Sequence, residues 1–396
     1  MMRAATAFST LLTYPFRIFF VLAAVYALLT ITAWVGFLFA GWSLPLGWSP
    51  PQWHSHEMLY GFVGAALTGF LLTAMTNWTG ATPLTGGHLL ALVCLWLAGR
   101  LAFWLAGWLP SLWVAVIDLA FFPVLAIYVS WILLRYHNKR NLILVVRLTL
   151  LTAANLLMHC GLIHHNPAWL SLGQALALDV VTLLMVVIAG RITPAFSANW
   201  LRQHQGQAEK VIRSTSTDAL AIGSVALLLV ASALPTPDWG QGSLALAAAA
   251  TNGLRLWQWS GWRTWREPLL WILHLSYAWI VLALLLRGIF LLTGSGSASL
   301  WHHTLTIGGM GTLILGVMTR VAVGHTGRPL RLPAYGLLIY LAITAAALLR
   351  LAAASQWIDY RLGVSLAALS WVVAFGLFLI LYFPILSSPR PDGRPG

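Results

Sequence analysis

The sequence predicts an all-α protein, a polytopic membrane helical bundle of 12 transmembrane helices. Of its 396 residues, 60% are apolar and only 8% are Asp, Glu, Lys or Arg, whereas soluble domains have about 45–50% and about a quarter. Apolar runs recur along the whole chain, and about 20 such residues cross the roughly 30 Å of bilayer hydrocarbon. The runs are continuous, which excludes a transmembrane β-barrel, whose strands alternate polar and apolar residues.

Each predicted span is an apolar run bounded by Pro, Gly or charged residues. The first follows Arg17 and is longer than the core of a signal peptide, so we expect it to be retained as a helix. The predicted spans are 18–41, 56–77, 87–107, 112–134, 141–163, 170–190, 218–234, 242–260, 267–292, 300–323, 333–353 and 359–385.

The basic residues predict the orientation of the chain. Most of its 22 lysines and arginines fall in alternate loops of the twelve-span arrangement, and cytoplasmic loops are the ones enriched in Lys and Arg. Both termini are therefore expected in the cytoplasm. The net charge of +13 is spread over short loops, so we expect a lipid bilayer and no nucleic acid as partner.

An internal repeat relates the second predicted span to the tenth. HEMLYGFVGAALTG beginning at His56 aligns with HTLTIGGMGTLILG beginning at His303, and Arg100 aligns with Arg350 in the following spans. The chain is thus expected to form a single membrane domain, 1–396, with three four-helix repeats at 15–134, 141–260 and 267–385.

Histidines at membrane depth are the main candidate metal ligands, because buried ionisable groups are costly in a bilayer and imidazole suits Cu, Fe and Zn. We expect His56 and His303 to lie close together in one outer centre and His274 with His325 to form a separate cytoplasmic-side level. Asn155 precedes His159 by one helical turn and could orient it. Helix–helix hydrogen bonding is the alternative role. The full set of candidates is His54, His56, His159, His274, His303 and His325.

Arg100 and Arg350 are predicted to lie near the outer ends of their spans, against the general charge bias. They could extend their side chains to the interface. Alternatively, they could bind carboxylates of a cofactor, such as haem propionates, because a guanidinium grips a carboxylate through two parallel hydrogen bonds.

These motifs resemble the NnrS family, bacterial inner-membrane proteins associated with haem, copper and the response to nitric oxide. The resemblance covers most of the chain. It implies haem b and copper as cofactors, the six histidines as metal ligands, and Arg100 and Arg350 as matching positions that could bind the cofactor. Asn155 and Tyr277 are our further candidates for cofactor binding. The motifs that carry it are PFRIFFVLAAVYALL, WHSHEMLYGF, TNWTG, ANLLMHCG, GRITPAFSANWL, PLLWILHLSYAW and HTLTIGGMGTLILGVMTRVAVGHTGRPL.

The function expected from this resemblance is that of an inner-membrane haem and copper protein in nitric oxide metabolism or protection against nitrosative stress. An oxidoreductase acting on nitric oxide or iron-nitrosyl species, with an unknown redox partner, is one form of it. The three-by-four arrangement of helices also resembles the catalytic subunit of haem-copper oxidases, in architecture alone. The alternatives are a twelve-helix secondary transporter and a metal or haem delivery protein.

Overall fold

The computed structural model describes residues 2–44 and 47–394, and these form helices and connecting loops with no β-strand. The all-α membrane bundle predicted from composition is therefore confirmed. A short helix, Met2–Leu11, precedes the long ones. The long helices are α1 Pro15–Phe39, α2 Pro50–Thr79, α3 Gly86–Trp104, α4 Ser111–Arg135, α5 Lys139–Ile163, α6 Pro167–Gln205, α7 Thr215–Ala233, α8 Asp238–Gln258, α9 Pro268–Thr293, α10 Ala298–Gly324, α11 Gly336–Ala354 and α12 Tyr360–Leu386.

Eleven of these helices, all except α8, are long and apolar enough to cross a membrane within the described part of the chain. Helix α8 has 21 residues and is about 31 Å long at 1.5 Å per residue, so its length suffices. Its sequence is rich in alanine and carries Asn252 and Arg255, which lowers its hydropathy. Both polar side chains are buried. The twelfth crossing stays a prediction.

Helix α6 extends well beyond its predicted end at residue 190. It continues through Arg191 and Pro194 to Gln205. The prediction stopped at the charged residue and the following proline, since proline removes one backbone hydrogen bond. A single such loss is evidently tolerated within a 39-residue helix.

The chain divides into two compact units. The first unit is Met1–Leu178, Val321–Leu330 and Phe375–Gly396, and the second unit is Asp179–Arg320 and Arg331–Ala374. Within the first unit, α2 packs closely on α1: a Cβ added to Gly61 would lie 2.3 Å from the Tyr26 ring. Within the second unit, Gly308 of α10 meets Trp279 of α9 at 2.8 Å in the same way.

Both α2 and α10 contain a π-helical segment, Glu57–Val63 and Thr304–Gly311 respectively. The two segments begin at residues that the internal repeat aligns, directly after His56 and His303. π-helical turns are rare and frequently occur at functional sites. The internal repeat that relates α2 to α10 and the division of the chain into three repeats stay predictions.

Impermeant thiol labelling tests whether α8 crosses the membrane. We expect Asp238→Cys and Arg266→Cys, which replace exposed residues on either side of α8, to label from opposite sides of the membrane in a background with Cys94 and Cys160 replaced. With cytoplasmic termini, Asp238→Cys is the externally accessible one. Labelling of both positions from the same side would show that α8 does not span.

Candidate metal centre

A cluster of polar side chains lies inside the first unit, contributed by four consecutive helices. Each helix supplies one or two polar groups to a common point. All six side chains are at most 4% exposed. The polar cluster consists of His56 and Glu57 from α2, Arg100 from α3, Asp118 from α4, and Asn155 and His159 from α5.

Asp118 is the centre of the polar cluster. Its Oδ2 accepts a hydrogen bond from Asn155 Nδ2 at 2.7 Å and lies 2.9 Å from His159 Nε2 and 3.2 Å from His56 Nε2. Its Oδ1 accepts from Arg100 Nη2. One carboxylate therefore contacts residues of three other helices, which fixes the positions of α2, α3 and α5 around it.

Arg100 bridges the two carboxylates of the polar cluster. Its Nη1 donates to Glu57 Oε1 and its Nη2 donates to Asp118 Oδ1. Without a partner of opposite charge, either carboxylate would be very costly to bury in a low-dielectric interior. With both carboxylates ionised and both histidines neutral, the polar cluster would carry one net negative charge, which would favour a bound cation.

His56 is surrounded by hydrogen-bond acceptors. Its Nδ1 lies 2.9 Å from Glu57 Oε1, and its Nε2 lies 2.9 Å from Asn155 Oδ1 and 3.2 Å from Asp118 Oδ2. A neutral imidazole has only one N–H. If that N–H faces Glu57, the lone pair at Nε2 faces two oxygen atoms, an arrangement that a proton or a metal ion at Nε2 stabilises.

The donor set fits a single transition-metal ion. Ligand atoms of His56, Asp118 and His159 all lie within 4.8 Å of one another. In a tetrahedral site with bonds of roughly 2.0–2.2 Å, ligand atoms are about 3.3 Å apart, close to the observed separations around Asp118 Oδ2. Two imidazoles and one carboxylate are ligands typical of Fe, Cu and Zn.

Aromatic rings enclose the polar cluster and leave its two imidazoles in a dry environment. The His56 ring stacks on Phe103 with centroids 3.8 Å apart and planes 7° apart. Trp48 packs against both His56 and His159, with centroids 5.3 Å away in each case. Tyr60 donates to Leu151 O beside them. Asn155 Oδ1 lies 2.9 Å from His56 Nε2, so a planar macrocycle such as haem does not fit against that nitrogen.

The other predicted residues of the first unit lie outside this ligand set. His54 stacks on Trp34, with centroids 4.6 Å apart. His325 contacts the Phe16 ring and its carbonyl accepts from Arg390; burial and the nearby Arg390 charge lower the pKa of His325. Asn155 binds Asp118 and His56, so its contact with the predicted partner His159 runs through Asp118.

In the second unit, His274 lies beside a cavity of about 360 Å³ whose wall includes Trp257, Trp262 and Gly261. Its Nε2 is 2.8 Å from Ser197 Oγ, and its Nδ1 is buried without a hydrogen-bond partner. A Cβ on Gly261 would lie 2.4 Å from that Nδ1. Only glycine therefore fits at position 261 without displacing the imidazole.

The remaining candidates of the second unit take part in separate hydrogen-bond networks. Tyr277 donates to Asn252 Oδ1 at 2.5 Å and accepts from Arg255 at 3.0 Å, which ties α9 to α8. His303 Nδ1 is 2.8 Å from Ser299 O. His303 belongs to the second unit and His56 to the first, so their proximity stays a prediction. The shared cytoplasmic-side depth of His274 and His325 in the membrane also stays a prediction.

Two carboxylates of the polar cluster were not among the predicted site residues. Glu57 directly follows a predicted ligand, and Asp118 stands alone in the apolar run SLWVAVIDLAFF. An isolated acid at membrane depth is itself a signal of function or of a buried cation. Asp179 of α6 is another isolated acid of this kind, and it accepts from Arg287 of α9.

Removal of Arg100 tests the charge balance of the polar cluster. We expect Arg100→Met to destabilise the protein by about 3–5 kcal/mol, because both carboxylates lose their buried cation, measured as a lower thermal unfolding midpoint in detergent. The matched control is Arg135→Met, which removes an exposed arginine stacked on Trp131 and should leave the midpoint nearly unchanged. Equal midpoints for both variants would contradict this charge balance.

Comparison with known proteins gives one family match and no match among curated proteins. The family model described as NnrS protein matches residues 10–390, nearly the whole chain. The match includes the four helices that build the polar cluster and the π-helical segments of α2 and α10. The chain belongs to the NnrS family.

Proposed function

We propose that this protein is a membrane metalloprotein of the nitric oxide response, in which His56, Asp118 and His159 hold one redox-active transition-metal ion. Membership of the NnrS family supports a role related to nitric oxide. The observation that carries the metal proposal is the convergence of these three ligand atoms within 4.8 Å in a buried site.

Copper is the ion we propose for this site. Imidazole nitrogen suits Cu, Fe and Zn, and among divalent first-row metals a given site usually binds copper most tightly. Iron held by two histidines and one carboxylate is the runner-up, since that ligand set is typical of non-haem iron sites. The haem b part of the expected cofactor set would require residues outside the polar cluster.

Three other residues of the polar cluster would prepare the ligands. With its proton on Nδ1, His56 would donate to Glu57, 2.9 Å away, and Nε2 would be left as the ligating atom of an oriented ring. Asn155 donates to Asp118 Oδ2 and holds that carboxylate in place. Arg100 donates to Glu57 Oε1 and to Asp118 Oδ1, which would leave Asp118 Oδ2 as the oxygen that binds the metal ion.

A metal ion with three protein ligands supplies an open coordination position, which nitric oxide or an iron-nitrosyl species could use. The residues around it exclude water: Trp48 and Phe103 are at most 5% exposed and pack on the imidazoles. A small uncharged molecule can enter such an apolar surrounding more easily than an ion can. We therefore favour nitric oxide itself as the ligand, with oxidoreductase activity as the proposed form of the function.

The proposed location is the bacterial inner membrane, with both termini in the cytoplasm. The eleven candidate spans support a multi-pass membrane protein, and the distribution of Lys and Arg supports the orientation. If the protein were instead a metal delivery protein or a secondary transporter, we would expect it to transfer metal or solute. Nitric oxide tolerance would then not depend on His159.

Metal content and nitric oxide tolerance of paired histidine variants test the proposal. We expect about one copper or iron ion per purified wild-type chain, and a loss of at least about tenfold in occupancy for His159→Ala, because a two-ligand site binds far more weakly. The control is His164→Ala, which removes an exposed imidazole five residues away. Elemental analysis by mass spectrometry gives the ion and its stoichiometry.

The same variants, expressed in a bacterial host sensitive to nitric oxide, separate the two parts of the proposal. Wild type and His164→Ala should restore growth under a nitric oxide donor, and His159→Ala should not. Unchanged metal content in His159→Ala would overturn the metal site. Loss of metal with full protection would overturn its role in the nitric oxide response.

A further inference from the structure

We propose that Arg350 of α11 and Ser299 of α10 form an oxyanion-binding site in the second unit, one that takes a phosphate or carboxylate group. Arg350 is 8% exposed, and its Nη2 donates to Ser299 Oγ at 2.9 Å. Its Nη1 is buried and has no hydrogen-bond partner. The guanidinium lies 5.7 Å from the centre of the Tyr360 ring. A fixed, half-satisfied guanidinium is the structural basis of the site.

The lack of a counter-ion distinguishes Arg350 from comparable buried arginines. Arg287 and Arg255, in the same unit, donate to the carboxylates of Asp179 and Asp218. Among residues 2–44 and 47–394, Arg350 makes no ion pair with a carboxylate, and a hydroxyl is its hydrogen-bond partner. An uncompensated buried charge costs several kcal/mol, so a bound anion would supply the missing partner.

Further polar groups lie near Ser299, at the start of α10. Ser299 Oγ also contacts His303 Nδ1 at 3.1 Å, one helical turn further on. Ser297 precedes the helix, and its Oγ is buried without a hydrogen-bond partner. The first backbone N–H groups of a helix have no carbonyl partner within it and favour anions. These donors would supplement Arg350 Nη1, which is the main group proposed to bind the anion.

The position of Arg350 suits an amphiphilic anion. It is four residues from the end of α11, about 6 Å along the helix axis at 1.5 Å per residue. The end of a spanning helix approaches the bilayer interface, where lipid headgroups are expected. The phosphate of an anionic lipid and a free phosphate ion share the same recognition by a planar guanidinium, so the experiment has to distinguish these sources.

The two arginines that the internal repeat predicts to be equivalent, Arg100 and Arg350, have different partners. Arg100 is bound by Glu57 and Asp118, whereas Arg350 Nη1 has no hydrogen-bond partner among the described residues. A carboxylate of a larger cofactor would use the same donors of Arg350. The site does not depend on the proposed metal centre, since its residues belong to the second unit.

Anion-dependent thermal unfolding of delipidated protein in an uncharged maltoside detergent tests the proposal. The three probes are short-chain phosphatidylglycerol, inorganic phosphate and octanoate, at constant ionic strength. We expect at least one probe to raise the unfolding midpoint of the wild type, with an apparent affinity reduced at least about tenfold in Arg350→Gln. Response to the lipid alone identifies a headgroup, and response to phosphate identifies a soluble anion.

Two variants exclude a general charge effect and a folding defect. Arg361→Gln removes an exposed arginine and should respond as the wild type does. Without anions, Arg350→Gln should be at least as stable as the wild type, because it removes an unpaired buried charge. A response that is absent in the wild type, or equal in wild type and Arg350→Gln, would overturn the proposal. So would a marked loss of stability in anion-free Arg350→Gln.

Discussion

Neutralisation of buried charge is the constraint that organises the first unit. Two carboxylates, Glu57 and Asp118, are fully enclosed, and each is paired with Arg100. In a medium of low dielectric constant, a separated charge is far more costly than in water. The three side chains must therefore stay together, and they belong to α2, α3 and α4. Helix α5 joins them through Asn155 and His159, both bound to Asp118.

The same constraint links the fold to the proposed chemistry. The polar cluster has two carboxylates for one guanidinium, and it presents two imidazole nitrogens to the same carboxylate oxygen. In the second unit, Arg287 and Arg255 are paired with internal carboxylates, whereas Arg350 has no carboxylate partner within the described part of the chain. Paired charges hold helices together, and unbalanced charges mark the places where ligands are expected.

Much of the fold could be predicted from the sequence, because a membrane helix is a continuous apolar run and α1–α5 begin and end near the predicted bounds. The prediction was weaker where local composition misleads: α6 continues past Arg191 and Pro194, and the polar residues of α8 are buried. His56 and His159 could be singled out by depth. Asp118 as their partner could not, because which helix faces which depends on packing between residues distant in the chain.

X-ray absorption spectroscopy of the metal-loaded protein tests whether His56, Asp118 and His159 bind the metal, since it counts the ligand atoms around the ion. We expect two imidazole nitrogens and one carboxylate oxygen at roughly 2.0–2.2 Å, with imidazole scattering reduced to one ring in His159→Ala. A first shell of four pyrrole nitrogens, of sulfur, or one unchanged in His159→Ala would contradict the assignment of the metal to His56, Asp118 and His159.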